Sequence, residues 1–195
     1  MNSPQNAPAE SITGLILCGG AGSRMGGADK GLLDFHGKAL IDIAINRLAP
    51  QVDAVIINAN RNLRDYQSRG LPVIGDPRFG EDDPGFQGPL AGILAGLQAM
   101  KTPWLVTVPC DCPLFPEHFV AELRLANQAS QKGAYIASHP TFALIPASVT
   151  SHLEHFLQHG HRRLGTWLAE IGAASVAATQ EAQFRNLNTP QDLGR

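Results

Sequence analysis

Residues 17–30 read Leu-Cys-Gly-Gly-Ala-Gly-Ser-Arg-Met-Gly-Gly-Ala-Asp-Lys and follow directly on an apolar run, Ile12 to Leu17. Glycines allow positive φ and a close approach of bare main chain to a ligand. A strand that runs into such a turn presents N–H groups to phosphate oxygens. Arg24 and Lys30 place two cations at the same mouth. The chemistry implied is a polyphosphate cradle, and two familiar versions of it do not fit. A P-loop needs Gly-Lys followed by Ser or Thr, whereas Lys30 stands between Asp29 and Gly31. A dinucleotide fingerprint needs G-x-G-x-x-G, but Gly20, Gly22 and Gly26 are spaced one residue too widely. Reductases that use the longer spacing often carry Tyr-x-x-x-Lys; here Tyr66 and Tyr135 have Gly70 and His139 four residues on.

Further along, Asp111 lies just past the apolar run 104–108, between Cys110 and Cys112. One carboxylate there suits Mg²⁺, which prefers oxygen ligands, keeps several waters and binds phosphate oxygens; the other reading is a cap on the turn before Pro113. A zinc site on Cys110 and Cys112 would lack a second pair of soft ligands. Those thiols read as packing around the aspartate. Asp76 follows Val73-Ile74-Gly75 and precedes Pro77, so it is either a ligand-facing carboxylate or a turn former. His152, His155 and His159 share a helical face beside an apolar stripe. No nearby carboxylate is expected to orient them, and they read as a solvated flank.

The string Leu-x-Gly-Gly-x-x-x-Arg-Met-Gly-x-x-x-Lys resembles the molybdopterin nucleotidyltransferases, and the Leu-Cys-Gly-Gly form resembles their guanylyl branch. The resemblance extends over nearly the whole chain. It takes in Gly37-Lys38, 58–61 (Asn-Ala-Asn-Arg), Asp76, 88–92 (Gly-Pro-Leu-Ala-Gly), 109–113 (Pro-Cys-Asp-Cys-Pro), 139–141 (His-Pro-Thr), Arg162-Arg163 and 186–190 (Asn-Leu-Asn-Thr-Pro). Ala39 departs from the Pro that the family commonly has after Gly-Lys.

The resemblance implies a fold of the nucleotide-diphospho-sugar transferase type. The implied activity is transfer of GMP from GTP to molybdenum-molybdopterin with release of pyrophosphate. Cytidylyl transfer from CTP and a non-catalytic GTP-dependent pterin carrier are the alternatives. The implied nucleotide site is Leu17, Cys18, Gly19, Gly20, Lys30, Asn58, Asp76 and Asp111. Within it Arg24 and Lys30 face the β- and γ-phosphates, and Asp111 holds Mg²⁺. Asp76 reads guanine, whose N1–H and N2–H₂ donors match the two acceptor oxygens of a carboxylate, whereas cytosine offers one donor beside a repelled acceptor. The implied pterin side is His139, Thr141, Arg162, Arg163, Asn186 and Asn188, although an exposed Arg pair and a helix-capping Asn188 are equally ordinary. Proteins that insert molybdenum, and molybdoenzyme apoproteins or their chaperones, are implied partners.

These residues need a scaffold that brings strand ends together. Ile12–Leu17, Ala54–Asn58, 72–74 and 104–108 are short, rich in β-branched residues and bounded by turn formers, as buried parallel strands are. Ile41, Ala44, Ile45 and Leu48 mark a helical face, Pro89 opens a helix over 90–100, and 116–131 gives another. Two further strands over 134–138 and 142–145 flank 139–141, and helices follow around 149–157 and 164–171. Such alternation predicts an α/β fold, a three-layer α/β/α sandwich with a mainly parallel, Rossmann-like sheet. Ligands then sit beyond the carboxyl ends of the strands.

At 195 residues the chain has the length of one domain, expected over 11–195 behind a disordered tail of 1–10. Fifteen basic against seventeen acidic residues, with no basic block, argue against nucleic acid or a membrane surface as partner. No apolar stretch approaches the roughly 20 residues that span a bilayer. Three cysteines and a start without a signal-peptide pattern predict reduced thiols in the cytoplasm.

Overall fold

The computed structural model describes residues 10–18, 29–78, 88–187 and 192. Its spine is β1 (Ile12–Leu17), every residue of which is buried. β1 is flanked in parallel by β4 (Ala54–Asn58) and β6 (Trp104–Pro109). β5 (Val73–Ile74) extends the parallel half beyond β4. On the other side β8 (His139–Pro146) runs antiparallel to β6, and β7 (Ala134–Ile136) antiparallel to β8. β9 (Ala174–Val176) closes the edge, parallel to β7. The order β5-β4-β1-β6-β8-β7-β9 is thus mainly parallel, as the alternation of elements predicts. A separate hairpin pairs β2 (Asp34–Phe35) with β3 (Lys38–Ala39).

Alternation along β1 sorts its side chains to the two faces. Ile12 and Ile16 join one core with α1 (Leu40–Leu48) and α4 (Phe119–Asn127), through Ile41, Ala44, Leu48, Phe119 and Leu123. Leu15 and Leu17 join the opposite core with α3 (Pro89–Ala99), α5 (Thr150–Gln158) and α6 (Leu164–Glu170). A short α2 (Leu63–Gln67) follows β4 and buries Tyr66 in the first core. Phe115, Phe119, Phe142 and Phe184 pack edge to face or tilted, with centroids 4.9–5.7 Å apart in the contacting pairs. This cluster ties the 3₁₀ turn Glu181–Phe184 to the centre of the fold.

Several boundaries differ from the sequence reading. Residues 139–141 lie inside β8 rather than between two strands, because pairing of His139 with Ile136 of β7 extends this strand. The turn falls at 137–138, where the hairpin reverses. The helix expected over 116–131 spans only Phe119–Asn127. Asn127 Oδ1 accepts from the Gly133 N–H at 2.8 Å and stabilises the turn that follows. No local signal marks α2, β9 or the β2–β3 hairpin, each of five residues or fewer.

Candidate active site

β1, β4, β5 and β6 all end at the same edge of the sheet, and a cavity of about 630 Å³ opens there. Leu17 and Cys18 come to it from β1, Asn58 and Arg61 from the end of β4, and Asp76 from beyond β5. Gly88 and Pro89 come from the start of α3, and Pro109, Cys110 and Asp111 from β6. Ser138, His139, Pro140, Thr141 and Asn186 form the remaining wall. Of the predicted site, Leu17, Cys18, Lys30, Asn58, Asp76, Asp111, His139, Thr141 and Asn186 are brought together. Gly19, Gly20, Arg24 and Asn188 lie outside the described residues. Arg162 and Arg163 are not among the cavity residues. Arg162 Nη1 donates to the Leu157 and His161 carbonyls at 2.7 Å at the end of α5, and Arg163 stands before α6.

At one end of the cavity Lys30 Nζ donates to Asp111 Oδ2 at 3.0 Å. Both side chains are partly buried, and the hydrogen bond between them is charge-assisted. A single carboxylate facing the cavity fits a Mg²⁺ that brings its own waters and phosphate oxygens. Among the described residues no group of three or more His, Cys, Asp or Glu is placed to form an all-protein metal cage. The Leu187 N–H donates to the Asp111 carbonyl at 2.7 Å, which holds Asn186 beside this end.

At the second end, Asp76 Oδ1 accepts from Asn58 Nδ2 at 2.9 Å and Oδ2 from Asn60 Nδ2 at 2.8 Å. Asn60 Oδ1 in turn accepts the Asp76 N–H at 2.8 Å. Two carboxylate oxygens carry about four acceptor sites, so both remain able to accept from a ligand. The sequence reading included Asn58 but assigned no role to Asn60 or Arg61. A side chain placed only by its partner leaves no local signal. Gly92 completes this corner: a Cβ there would stand 2.3 Å from Asn58 Oδ1, so only glycine lets α3 lie against that amide.

The third wall carries His139, whose ring stacks on Phe184 at 5.4 Å and 18° and whose Nε2 lies 2.8 Å from Glu181 Oε1. Ser138 Oγ donates to Glu181 Oε2 at 2.9 Å. Hydrogen bonds from His139 and Ser138 hold the Glu181 carboxyl below its ordinary value.

Cys18, Cys110 and Cys112 are free and buried. A hydrogen bond with Cys18, then burial, pushes the Cys110 thiol up. Burial, then the Asp111 charge, pushes Cys112 up to about 12. Both therefore stay protonated at neutral pH and are poor nucleophiles. The histidine face of α5 does meet a carboxylate, contrary to the sequence reading. His152 Nε2 lies 3.1 Å from Glu170 and its Nδ1 accepts from Trp167 Nε1 at 3.1 Å. These bonds join α5 to α6.

Residues 14–175 match the MobA-like NTP transferase domain. A molybdenum cofactor guanylyltransferase of Cupriavidus taiwanensis is 44% identical over 94% of this chain and 95% of its own. That of Serratia proteamaculans is 44% identical over 95% of this chain and 94% of its own. The fold is shared with a molybdopterin-guanine dinucleotide biosynthesis protein A from Archaeoglobus fulgidus, at TM-score 0.73 and 23% identity over 94% and 95% of the two chains. It is shared also with the 2-C-methyl-D-erythritol 4-phosphate cytidylyltransferase of Thermus thermophilus, at TM-score 0.68 and 14% identity over 92% and 94%. The chain belongs to the MobA-like NTP transferase family, among its molybdenum cofactor guanylyltransferases.

Proposed function

We propose that this enzyme transfers GMP from GTP to molybdenum-molybdopterin and releases pyrophosphate. The observation that carries this reading is one cavity with a Lys30–Asp111 pair at one end and the Asp76 carboxylate at the other. The first suits the phosphates of a nucleoside triphosphate and the second suits a base with adjacent donors. Guanine offers two such donors to Asp76, while cytosine would set an acceptor against it, so the guanylyl reading is favoured over the cytidylyl one.

The nucleophile is the terminal phosphate of the pterin, which is largely dianionic at neutral pH and needs no general base. It attacks the α-phosphorus of GTP in line, and the bond to the bridging oxygen of pyrophosphate breaks. The Cys110 thiol of the cavity, pushed up by its hydrogen bond with Cys18 and by burial, is a poor nucleophile, which agrees with a direct transfer. Lys30 turns from Asp111 to the departing phosphates and offsets their charge. Asp111 would hold Mg²⁺, which when bound neutralises triphosphate oxygens. The wall of Ser138, His139, Thr141 and Asn186 receives the pterin, with hydroxyl, imidazole and amide groups to meet its donors and acceptors. The three thiols suit a reducing, cytoplasmic setting.

The test is incubation with labelled GTP, Mg²⁺ and molybdenum-loaded molybdopterin, with excess unlabelled CTP as competitor. Label in the pterin product with pyrophosphate released, unaffected by CTP, supports the reading. Bound GTP without pyrophosphate release would make the protein a carrier instead.

A further inference from the structure

Asp29 directly precedes Lys30 and is buried, with its side chain only 4% exposed. A buried carboxylate is costly unless it is fully paired, and this one has three partners. Tyr66 Oη donates to Oδ1 at 2.5 Å, Asn62 Nδ2 donates to Oδ2 at 3.0 Å, and Arg61 Nε pairs with Oδ2 at 3.7 Å. All three come from the turn after β4 and from α2, more than thirty residues along the chain.

Two independent features show that the surroundings are shaped to this carboxylate. Asn62 adopts φ +49, a left-handed conformation unusual outside glycine, while its amide reaches Asp29. A Cβ on Gly31 would stand 2.5 Å from Tyr66 Oη, so glycine there makes room for the phenol to pass. Burial and the neighbouring charges raise the Tyr66 hydroxyl, which keeps it a donor. Asp29 also accepts, through its carbonyl, the Leu32 N–H that opens the 3₁₀ turn Lys30–Leu32. Lysine carries its charge on a flexible four-carbon stem, so where the ammonium can reach depends on how firmly its backbone is held.

We infer that Asp29 is a positioning residue for Lys30: anchored to Tyr66, Asn62 and Arg61, it fixes the backbone from which Lys30 reaches Asp111 and the departing phosphates. This rests on the role given to Lys30 above. It also explains the order Asp-Lys-Gly, in which the first residue points into the core, the second into the cavity, and the third clears the phenol.

The test compares pyrophosphate release by wild type, Asp29→Asn, Lys30→Ala and the double variant, with thermal melts alongside. The amide of asparagine would set a donor against the Asn62 or Tyr66 donors. Asp29→Asn is expected to lower kcat about tenfold with less than a twofold change in the KM for pterin, and to change kcat less than twofold in the Lys30→Ala background. Tyr66→Phe, which keeps the core volume but removes one donor from the buried carboxylate, lowers kcat several-fold and melts a few degrees lower, and serves if Asp29→Asn fails to fold. Equal losses from Asp29→Asn in both backgrounds, or wild-type kcat in Asp29→Asn and Tyr66→Phe beside an impaired Lys30→Ala, would overturn the positioning role alone. Wild-type turnover in Lys30→Ala would overturn the reading of Lys30, and the positioning role with it.

Discussion

Lys30 and Asp111 stand 81 residues apart in sequence and 3.0 Å apart in space, across the mouth formed by β1 and β6. Each neutralises the other until a triphosphate arrives with charge of its own. On the proposed reading, removing either partner strips the leaving group of stabilisation. Lys30→Ala and Asp111→Ala should each lower kcat by about 10²–10³-fold. Because the two groups touch, the double variant should lose less than the product of the single losses. Chelation by EDTA should stop pyrophosphate release in wild type, and added Mg²⁺ should restore it. Near-normal turnover in either single variant would remove this pair from the reaction.

Asp76 should set base preference. With Asn58 and Asn60 each holding one of its oxygens, the carboxylate is oriented before any ligand binds. Asp76→Asn replaces one acceptor with a donor facing the donor edge of guanine. Matched bidentate base contacts discriminate by about 1–3 kcal/mol, so kcat/KM for GTP should fall roughly 5- to 160-fold. Inosine triphosphate lacks the 2-amino group and should fall less. Equal losses for both nucleotides would place the guanine edge elsewhere.

Gly92 should prove irreplaceable by alanine despite alanine's better helix propensity. The added Cβ would stand 2.3 Å from Asn58 Oδ1 and 2.9 Å from Leu17 Cδ2. Overpacking costs about 1–3 kcal/mol, against a gain of about 1 kcal/mol for replacing a helical glycine. Gly92→Ala should therefore melt a few degrees lower. It should also show weaker GTP preference, because Asn58 is pushed off Asp76. A higher melting temperature with unchanged preference would contradict this packing.

Much of the scaffold is legible in sequence because its long strands are apolar on both faces and its helices carry clear stripes. Ile12–Leu17 and Ala54–Asn58 are read to the residue for that reason. α2 and β9 escape because five residues or fewer carry no period, and β9 exists only by pairing with β7 some forty residues back. The same limit applies at the site. Asp76 and Asp111 announce themselves by charge next to a strand end, and Lys30 by charge after a glycine-rich stretch. Asn60, Asp29 and Glu181 are identified only by what they hold: Asp76, the backbone of Lys30, and His139. Arg162 shows the converse, a charge in a suggestive pair whose bonds go to the carbonyls at the end of α5.

The buried phenol should make the protein sensitive to alkali. Burial first, then the charges of Cys18, Cys110 and Asp29, raise the Tyr66 hydroxyl above its ordinary value near 10. The folded value exceeds the unfolded one, so this contribution is fully present below about pH 10. Above that pH the unfolded chain releases the proton and the folded one keeps it. Stability then falls as pH rises, by up to about 1.4 kcal/mol per pH unit for this group. Tyr66 and Tyr135 are the two tyrosines of the chain. In a spectrophotometric titration of the native protein, Tyr66 should ionise only as the fold is lost. Tyr66→Phe should abolish this late phase and flatten the alkaline loss of stability in urea melts. An unchanged late phase in that variant would mean that the protected hydroxyl is not that of Tyr66.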